Sequence, residues 1–135
     1  MPRLYREMPV NSIWEGSGNV MCLDVLRALA RSPDAVDALR AELAPARGTD
    51  QRLDRAIADL EATLAARPEE GQARRLVEGI VLAVQAALLV RHAPPAVADA
   101  FCASRLDGDH GGAFGTLPRG ADLAAIVERA RPAVD

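Results

Sequence analysis

One segment constrains the fold more than any other, because residues 77–90 are apolar around almost the whole circumference of a helix. Only Glu78 and Gln85 interrupt this segment. It is shorter than the ~20 residues that a helix needs to cross a bilayer, and a helix of this kind is usually buried on several sides. We therefore predict the middle helix of a bundle, or a subunit interface, that begins near Pro68 and ends at His92.

Amphipathic segments flank this helix on both sides. Apolar residues recur at three- and four-residue steps before and after it, and Ser32-Pro33 has the residue types that end one helix and begin the next. Thr49 is expected to cap the third helix, whose charged outer face is typical of a solvated surface. The predicted segments are an extended approach over 1–16, helices over 17–31, 33–43, 50–64, 68–92, 95–106 and 122–130, and a glycine-rich loop over 107–120.

The composition agrees with an all-α fold. Alanine and leucine, which favour helices, supply much of the apolar volume, whereas aromatic residues make up only 3% of the chain. We predict one domain over residues 1–135, an all-α helical bundle of about five to six helices. With the apolar helix at its centre, such a bundle also favours self-association into a homo-oligomer.

Charge and cysteine content narrow the classes of function. A net charge of −3 argues against a surface that attracts nucleic acid or anionic membrane everywhere, but it leaves room for a local basic patch. Cys22 and Cys102 lack metal-ligand spacing and favour two free, buried thiols over a disulfide or a metal site. His92 and His110 are isolated, so we predict no metal. The first ten residues lack the apolar core of a secretory signal, and we expect a soluble, cytoplasmic chain.

The segment around Glu15 carries the candidate chemistry. Glu15 lies where the approach meets the first helix, beside Gly16, which has no side chain to block a ligand. The N–H groups in the first turn of that helix, at Ser17, Gly18 and Asn19, together with the positive end of the helix dipole, are expected to form an anion site. A general base beside a phosphate-binding helix start suits proton abstraction next to a phosphate-bearing cofactor. The alternative is an ordinary acid near a helix N-terminus.

The same segment resembles the acyl-CoA dehydrogenase family. Tyr5-Arg6-Glu7-Met8-Pro9 followed by Trp14-Glu15-Gly16-Ser17 is similar to its arginine–acid and aromatic–Glu–Gly–Thr/Ser pattern. The resemblance implies that Glu15 removes the α-proton of an acyl-CoA thioester while hydride passes to FAD. It further implies that Gly16 lies against the substrate, and that the cofactor contacts are made by Trp14, Ser17, Gly18 and Asn19.

One branch of the family is the closer match, the AidB-like adaptive-response alkylation-protection flavoproteins. Its Trp-Glu-Gly-Ser-Gly-Asn motif stands at 14–19, and the resemblance continues through 23–27, 88–92, 100–106 and 111–118, with His110 where tryptophan is expected. The branch implies binding of double-stranded DNA, for which Arg27 and Arg31, one helical turn apart, are candidates. Solvent-exposed charges or ion pairs are the alternative for both arginines.

The resemblance covers only the later part of the family fold. The amino-terminal helical domain and the β-domain that surrounds the flavin have no counterpart in the chain, so we expect FAD in a full-length parent and not in this chain alone. Three functions stay open. The chain is part of an FAD-dependent acyl-CoA dehydrogenase, or a DNA-binding and alkylation-protection module, or an oligomerisation bundle without catalysis.

Overall fold

The computed structural model describes residues 2–13, 17–113 and 116–132, and every regular element in these ranges is helical. The predicted all-α bundle is therefore confirmed. The helices are α1 (Pro2–Glu7), α2 (Val10–Ile13), α3 (Ser17–Arg31), α4 (Pro33–Leu43), α5 (Gln51–Ala65), α6 (Ala73–His92), α7 (Pro95–Phe101) and α8 (Leu123–Ala130). Within these ranges, no helix is both long and apolar enough to cross a membrane.

The core forms where α5 packs against α6. Leu53 and Ile57 on α5 are completely buried, and they belong to the same apolar cluster as Ala83, Ala86 and Ala87 on α6. The buried side chains of α6 named here are all alanines, which let the neighbouring helices pack close to its backbone. Helices α3, α4 and α7 also pack on α6, which confirms its predicted central position.

One strip of α6 stays open despite its apolar sequence. Val81 and Leu88, seven residues apart and so on one face, are 45% and 41% exposed. The prediction of burial on several sides therefore holds for the faces towards α3, α4, α5 and α7 but not for this strip. The homo-oligomer predicted from the sequence would bury an exposed apolar surface of this kind.

The amino-terminal segment differs from the sequence prediction. We predicted an extended approach over 1–16, but residues 2–13 contain the two short helices α1 and α2. Pro2 stands at the first helical position, where it costs no hydrogen bond, and Arg3 Nε lies 2.8 Å from Glu7 Oε1 one turn later. Such local interactions carry no apolar period, so the periodicity of the sequence did not reveal them. No residue of α1 is buried.

Two predicted helix starts were also wrong in detail. Asp50, not Thr49, caps α5, because the Asp50 carboxylate accepts a hydrogen bond from the Arg52 N–H at 2.8 Å. The Thr49 hydroxyl donates instead to the Ala46 carbonyl at 2.6 Å. Residues Glu70–Gln72 form a 3₁₀ turn before α6, in which Gln72 Oε1 accepts from the Glu69 N–H at 3.2 Å. The α-helix therefore begins at Ala73 and not near Pro68.

The predicted helix over 95–106 is present, but its last turn is wider than an α-helix. Cys102–Leu106 form a π-helical turn after α7, in which the Asp107 N–H donates to the Cys102 carbonyl at 3.2 Å. The Ser104 hydroxyl donates to the Ala100 carbonyl at 2.6 Å. Ser104 is the one buried polar side chain among the described residues, and this bond satisfies its hydroxyl. The predicted helix over 122–130 is present as α8, and Asp122 caps it by accepting from the Ala125 N–H at 2.9 Å.

Candidate functional site

The start of α3 is held by an arginine from α6. Arg74 Nη1 donates to Asn19 Oδ1 at 2.9 Å, and Arg74 Nη2 lies 3.6 Å from the position that a Cβ on Gly18 would occupy. The crossing of α3 over α6 therefore places a guanidinium beside the first turn of α3. Gly18 and Asn19, two predicted cofactor contacts, lie together with this cation.

The electrostatic field at this end of α3 favours an anion. The first turn of α3 has no acidic residue, so no side-chain carboxylate within the turn offsets the positive end of the helix dipole. Arg74 adds a full positive charge. Phosphate groups bind at such helix starts through backbone N–H groups and nearby arginines. The donor set at Ser17–Asn19 thus fits a phosphate-bearing cofactor.

Sequence reasoning did not find the role of Arg74. No short-range pattern links positions 19 and 74, because their contact depends on how α3 and α6 cross.

Three other residues of the predicted site, Trp14, Glu15 and Gly16, lie outside the described residues. The roles of Glu15 as base, of Gly16 beside the substrate and of Trp14 at the cofactor remain predictions. The described neighbour Ser17 begins α3 immediately after them.

Arg27 and Arg31, the predicted DNA contacts, are both exposed on α3. Arg27 Nη1 donates to Asp24 Oδ1 at 2.9 Å, so part of its charge is offset. Arg31 has no ion-pair partner in the described part of the chain. The two arginines are therefore unequal as phosphate ligands, with Arg31 the freer of the two.

A partly buried ion-pair network lies elsewhere, between α5 and α7. Arg52 Nη2 lies 2.6 Å from Asp50 Oδ2 and 2.8 Å from Asp99 Oδ1. The hydrogen bond from Arg52 lowers the pKa of Asp50, and the same bond raises the pKa of Arg52. Every charge in this network has a partner, which indicates that it joins helices and does not bind a ligand.

The cysteines are free and buried, as predicted. Burial raises the pKa of the Cys102 thiol to about 11, so it is protonated at neutral pH and packs as an apolar side chain. In the described ranges, no group of His, Cys, Asp and Glu side chains is arranged to hold a metal ion. His110 Nδ1 lies 2.6 Å from the Gly111 carbonyl oxygen, within the loop before α8.

Comparison with known proteins identifies the family. No protein-family model matches the chain. The chain is 44% identical over 107 residues, or 79% of its length, to the Escherichia coli (strain K12) protein named "Putative acyl-CoA dehydrogenase AidB". The chain belongs to the acyl-CoA dehydrogenase family. The predicted resemblance to its AidB-like branch is confirmed, and the chain spans 20% of the length of this relative.

Proposed function

We propose that this chain is the carboxy-terminal helical part of an FAD-dependent acyl-CoA dehydrogenase-like flavoprotein. The observation that carries the proposal is the Arg74–Asn19 hydrogen bond, which fixes the first turn of α3 directly after the Trp14-Glu15-Gly16 motif. Gly18 and Asn19, the proposed cofactor contacts, follow the proposed base Glu15 by three and four residues, so the cofactor and the base would serve the same substrate. The match to an acyl-CoA dehydrogenase-like relative supports the same chemistry.

In this proposal the start of α3 binds the cofactor. Ser17, Gly18 and Asn19 contact FAD through the N–H groups of the first turn, and Arg74 adds a positive charge beside them. Trp14 contacts the cofactor next to this turn. FAD, when bound, accepts the hydride that leaves the β-carbon of the substrate.

Glu15 performs the proton transfer. Its carboxylate takes the proton from the α-carbon of an acyl-CoA thioester, and Gly16 lets the thioester approach the backbone because it has no side chain. The chain by itself covers one fifth of the relative, and we propose that it needs the remainder of such a flavoprotein to bind FAD.

A chimera tests this proposal. The matched segment of the Escherichia coli relative would be replaced by the corresponding segment of this chain, and flavin content and reduction by a series of acyl-CoA thioesters would be measured. We expect stoichiometric flavin and a substrate-dependent loss of its visible absorbance. Glu15→Gln should keep the flavin and abolish reduction, whereas Asn19→Ala should lower flavin content.

Two results would contradict it. Reduction that is unaffected by Glu15→Gln would remove Glu15 as the base. A 135-residue chain that purifies with stoichiometric flavin would remove the claim that the chain needs other domains. Glu7→Gln, which changes an exposed acid on α1 paired with Arg3, is the matched control for the loss of one carboxylate.

DNA contact is a second candidate function, favoured by one observation. Arg31 is exposed on α3, one turn from Arg27, and has no ion-pair partner among the residues that the structure describes. We propose that Arg31 contacts a DNA phosphate more strongly than Arg27, which Asp24 partly neutralises.

Retention on duplex DNA at several salt concentrations tests this candidate. Arg31→Ala should weaken binding and lower the slope of log K against log salt by about one. Arg27→Ala should have a smaller effect, and Asp24→Asn should strengthen binding by freeing Arg27. Binding that ignores both salt and these substitutions would exclude the DNA hypothesis.

A further inference from the structure

An apolar groove separates the second half of α3 from the end of α5. Its volume is about 500 Å³, within the range of roughly 300–1,000 Å³ found for small-molecule sites. It lies two turns or more beyond Asn19 along α3, away from the proposed flavin contacts. Its walls are formed mainly by aliphatic side chains, among them Leu26, Leu29, Val36, Leu64 and Leu76.

A single charged residue lines this groove. Arg67 is exposed at the rim, next to Pro68 and two residues after the end of α5, and no carboxylate shares the lining. Arg67 forms no ion pair with any residue in the described ranges. A cation at the edge of an otherwise apolar groove is complementary to a ligand with one anionic end and one apolar end.

The backbone of Arg67 adds an independent observation. Its φ is +53°, and no other non-glycine residue in the described ranges has a positive φ. Glycine usually fills this position after a helix, because a side chain there costs about 1–2 kcal/mol. The Arg67 N–H donates to the Leu64 carbonyl at 3.2 Å and so closes the helix end. A residue held in an unfavourable conformation at the rim of a cavity is a reasonable candidate for function.

We propose that this groove binds a medium-chain carboxylate, with its aliphatic tail on the leucine walls and its carboxylate on the Arg67 guanidinium. A guanidinium pairs with a carboxylate through two parallel N–H···O bonds, which fixes the orientation of the ligand. The buried Leu76 side chain gives the tail an apolar surface. The site does not depend on FAD or on Glu15, so it stands apart from the proposed dehydrogenase function.

Calorimetric titration of the 135-residue chain with octanoate tests the proposal. We expect one site, and about tenfold weaker binding of hexanoate, because two methylene groups fewer are buried. Octanol should bind at least tenfold more weakly than octanoate, since it cannot pair with Arg67. Arg67→Gln should weaken octanoate about tenfold and leave octanol unchanged.

Two further variants separate loss of the site from loss of the fold. Arg67→Gly removes the charge while relieving the backbone conformation, so it should unfold at the same or a higher temperature and still lose octanoate. Arg75→Gln, which removes an exposed arginine that does not line this groove, should bind octanoate normally. Equal octanoate affinity in wild type and Arg67→Gln would overturn the proposal. Absence of binding at millimolar octanoate would also overturn it, as would self-association that blocks the site.

Discussion

Two regions of the chain both contain large apolar residues but differ in how far these residues are buried. In the core region, formed by α5, α6 and α7, Leu53 and Ile57 are fully buried. In the amino-terminal region, residues 2–13 and 17–21, Tyr5 is 81% exposed and Met8 and Met21 are each 60% exposed. In the core region these apolar side chains are buried against other helices, whereas in the amino-terminal region, which adjoins the family motif, the named side chains are exposed to solvent.

The difference bears on where the proposed chemistry can occur. A base works best in a site from which water is largely excluded, and the described residues around the start of α3 provide only one side of such a site. Exposed apolar residues next to a functional motif are typical of a surface that another part of a protein covers. Under the proposed function, the amino-terminal region is the surface against which the flavin-binding part of the parent packs.

Truncating one apolar side chain in each region is the strongest test of this contrast. Ile57→Ala should lower the free energy of unfolding by about 2–5 kcal/mol, because it leaves a cavity in the core. Met21→Ala should change it by less than about 0.5 kcal/mol, since that side chain is mainly in solvent. Urea unfolding of the 135-residue chain measures both. Similar losses for the two variants would mean that the amino-terminal region is covered in solution.

The Asp50–Arg52 ion pair at the start of α5 should make the core region sensitive to pH. Because Arg52 lowers the pKa of Asp50 in the folded chain, the unfolded chain binds protons more readily. The stability that Asp50 contributes is therefore present above its unfolded pKa, near 4, and is lost as pH falls through the lower folded pKa.

Asp50→Asn tests this electrostatic contribution, since asparagine can still cap α5. At pH 7 the variant should lose about 1 kcal/mol, the difference between a charge-assisted and a neutral hydrogen bond. Below pH 4 it should approach the wild type. Asp37→Asn, which removes an exposed acid paired with Arg40, is the control and should change stability little. An unchanged pH profile in Asp50→Asn would assign the acid sensitivity to other carboxylates.

The same contrast explains what the sequence could predict. Helices α3 to α8 follow from apolar periodicity and from stop signals such as Ser32-Pro33, because burial in the bundle repeats with the period of the helix. α1 buries no side chain, so it leaves no apolar period in the sequence. The π-helical turn at Cys102–Leu106 and the positive φ of Arg67 depend on packing around single residues. The family motif is recognisable from the sequence itself, whereas the Arg74–Asn19 contact depends on how α3 and α6 cross.

A glycine substitution in the middle of α6 should strengthen the core region. A Cβ at Gly79 would lie 3.9 Å from Leu60 Cδ1, which is an ordinary contact. Gly79→Ala should therefore raise the free energy of unfolding by about 0.5–1 kcal/mol, through the higher helix propensity of alanine. In the amino-terminal region, Gly18→Ala lies in the first turn of α3 and should give a smaller gain. Destabilisation by Gly79→Ala would show that α5 and α6 pack more tightly at this position than the 3.9 Å separation from Leu60 Cδ1 indicates.

The smallest effect concerns the Arg74–Asn19 hydrogen bond, which joins the amino-terminal region to the core region at the proposed site. Arg74→Met removes the hydrogen bond to Asn19. Because the bond is exposed, global stability should change by less than about 0.5 kcal/mol. Amide hydrogen exchange at residues 21–23, whose N–H groups donate to the carbonyls of the first turn of α3, should nevertheless become faster, while exchange in α5 stays unchanged. Asn19→Ala should have the same local effect, and the double variant should add nothing further, since both substitutions break one interaction. Arg75→Met is the control, and additive effects of the two substitutions would show that Arg74 and Asn19 act independently.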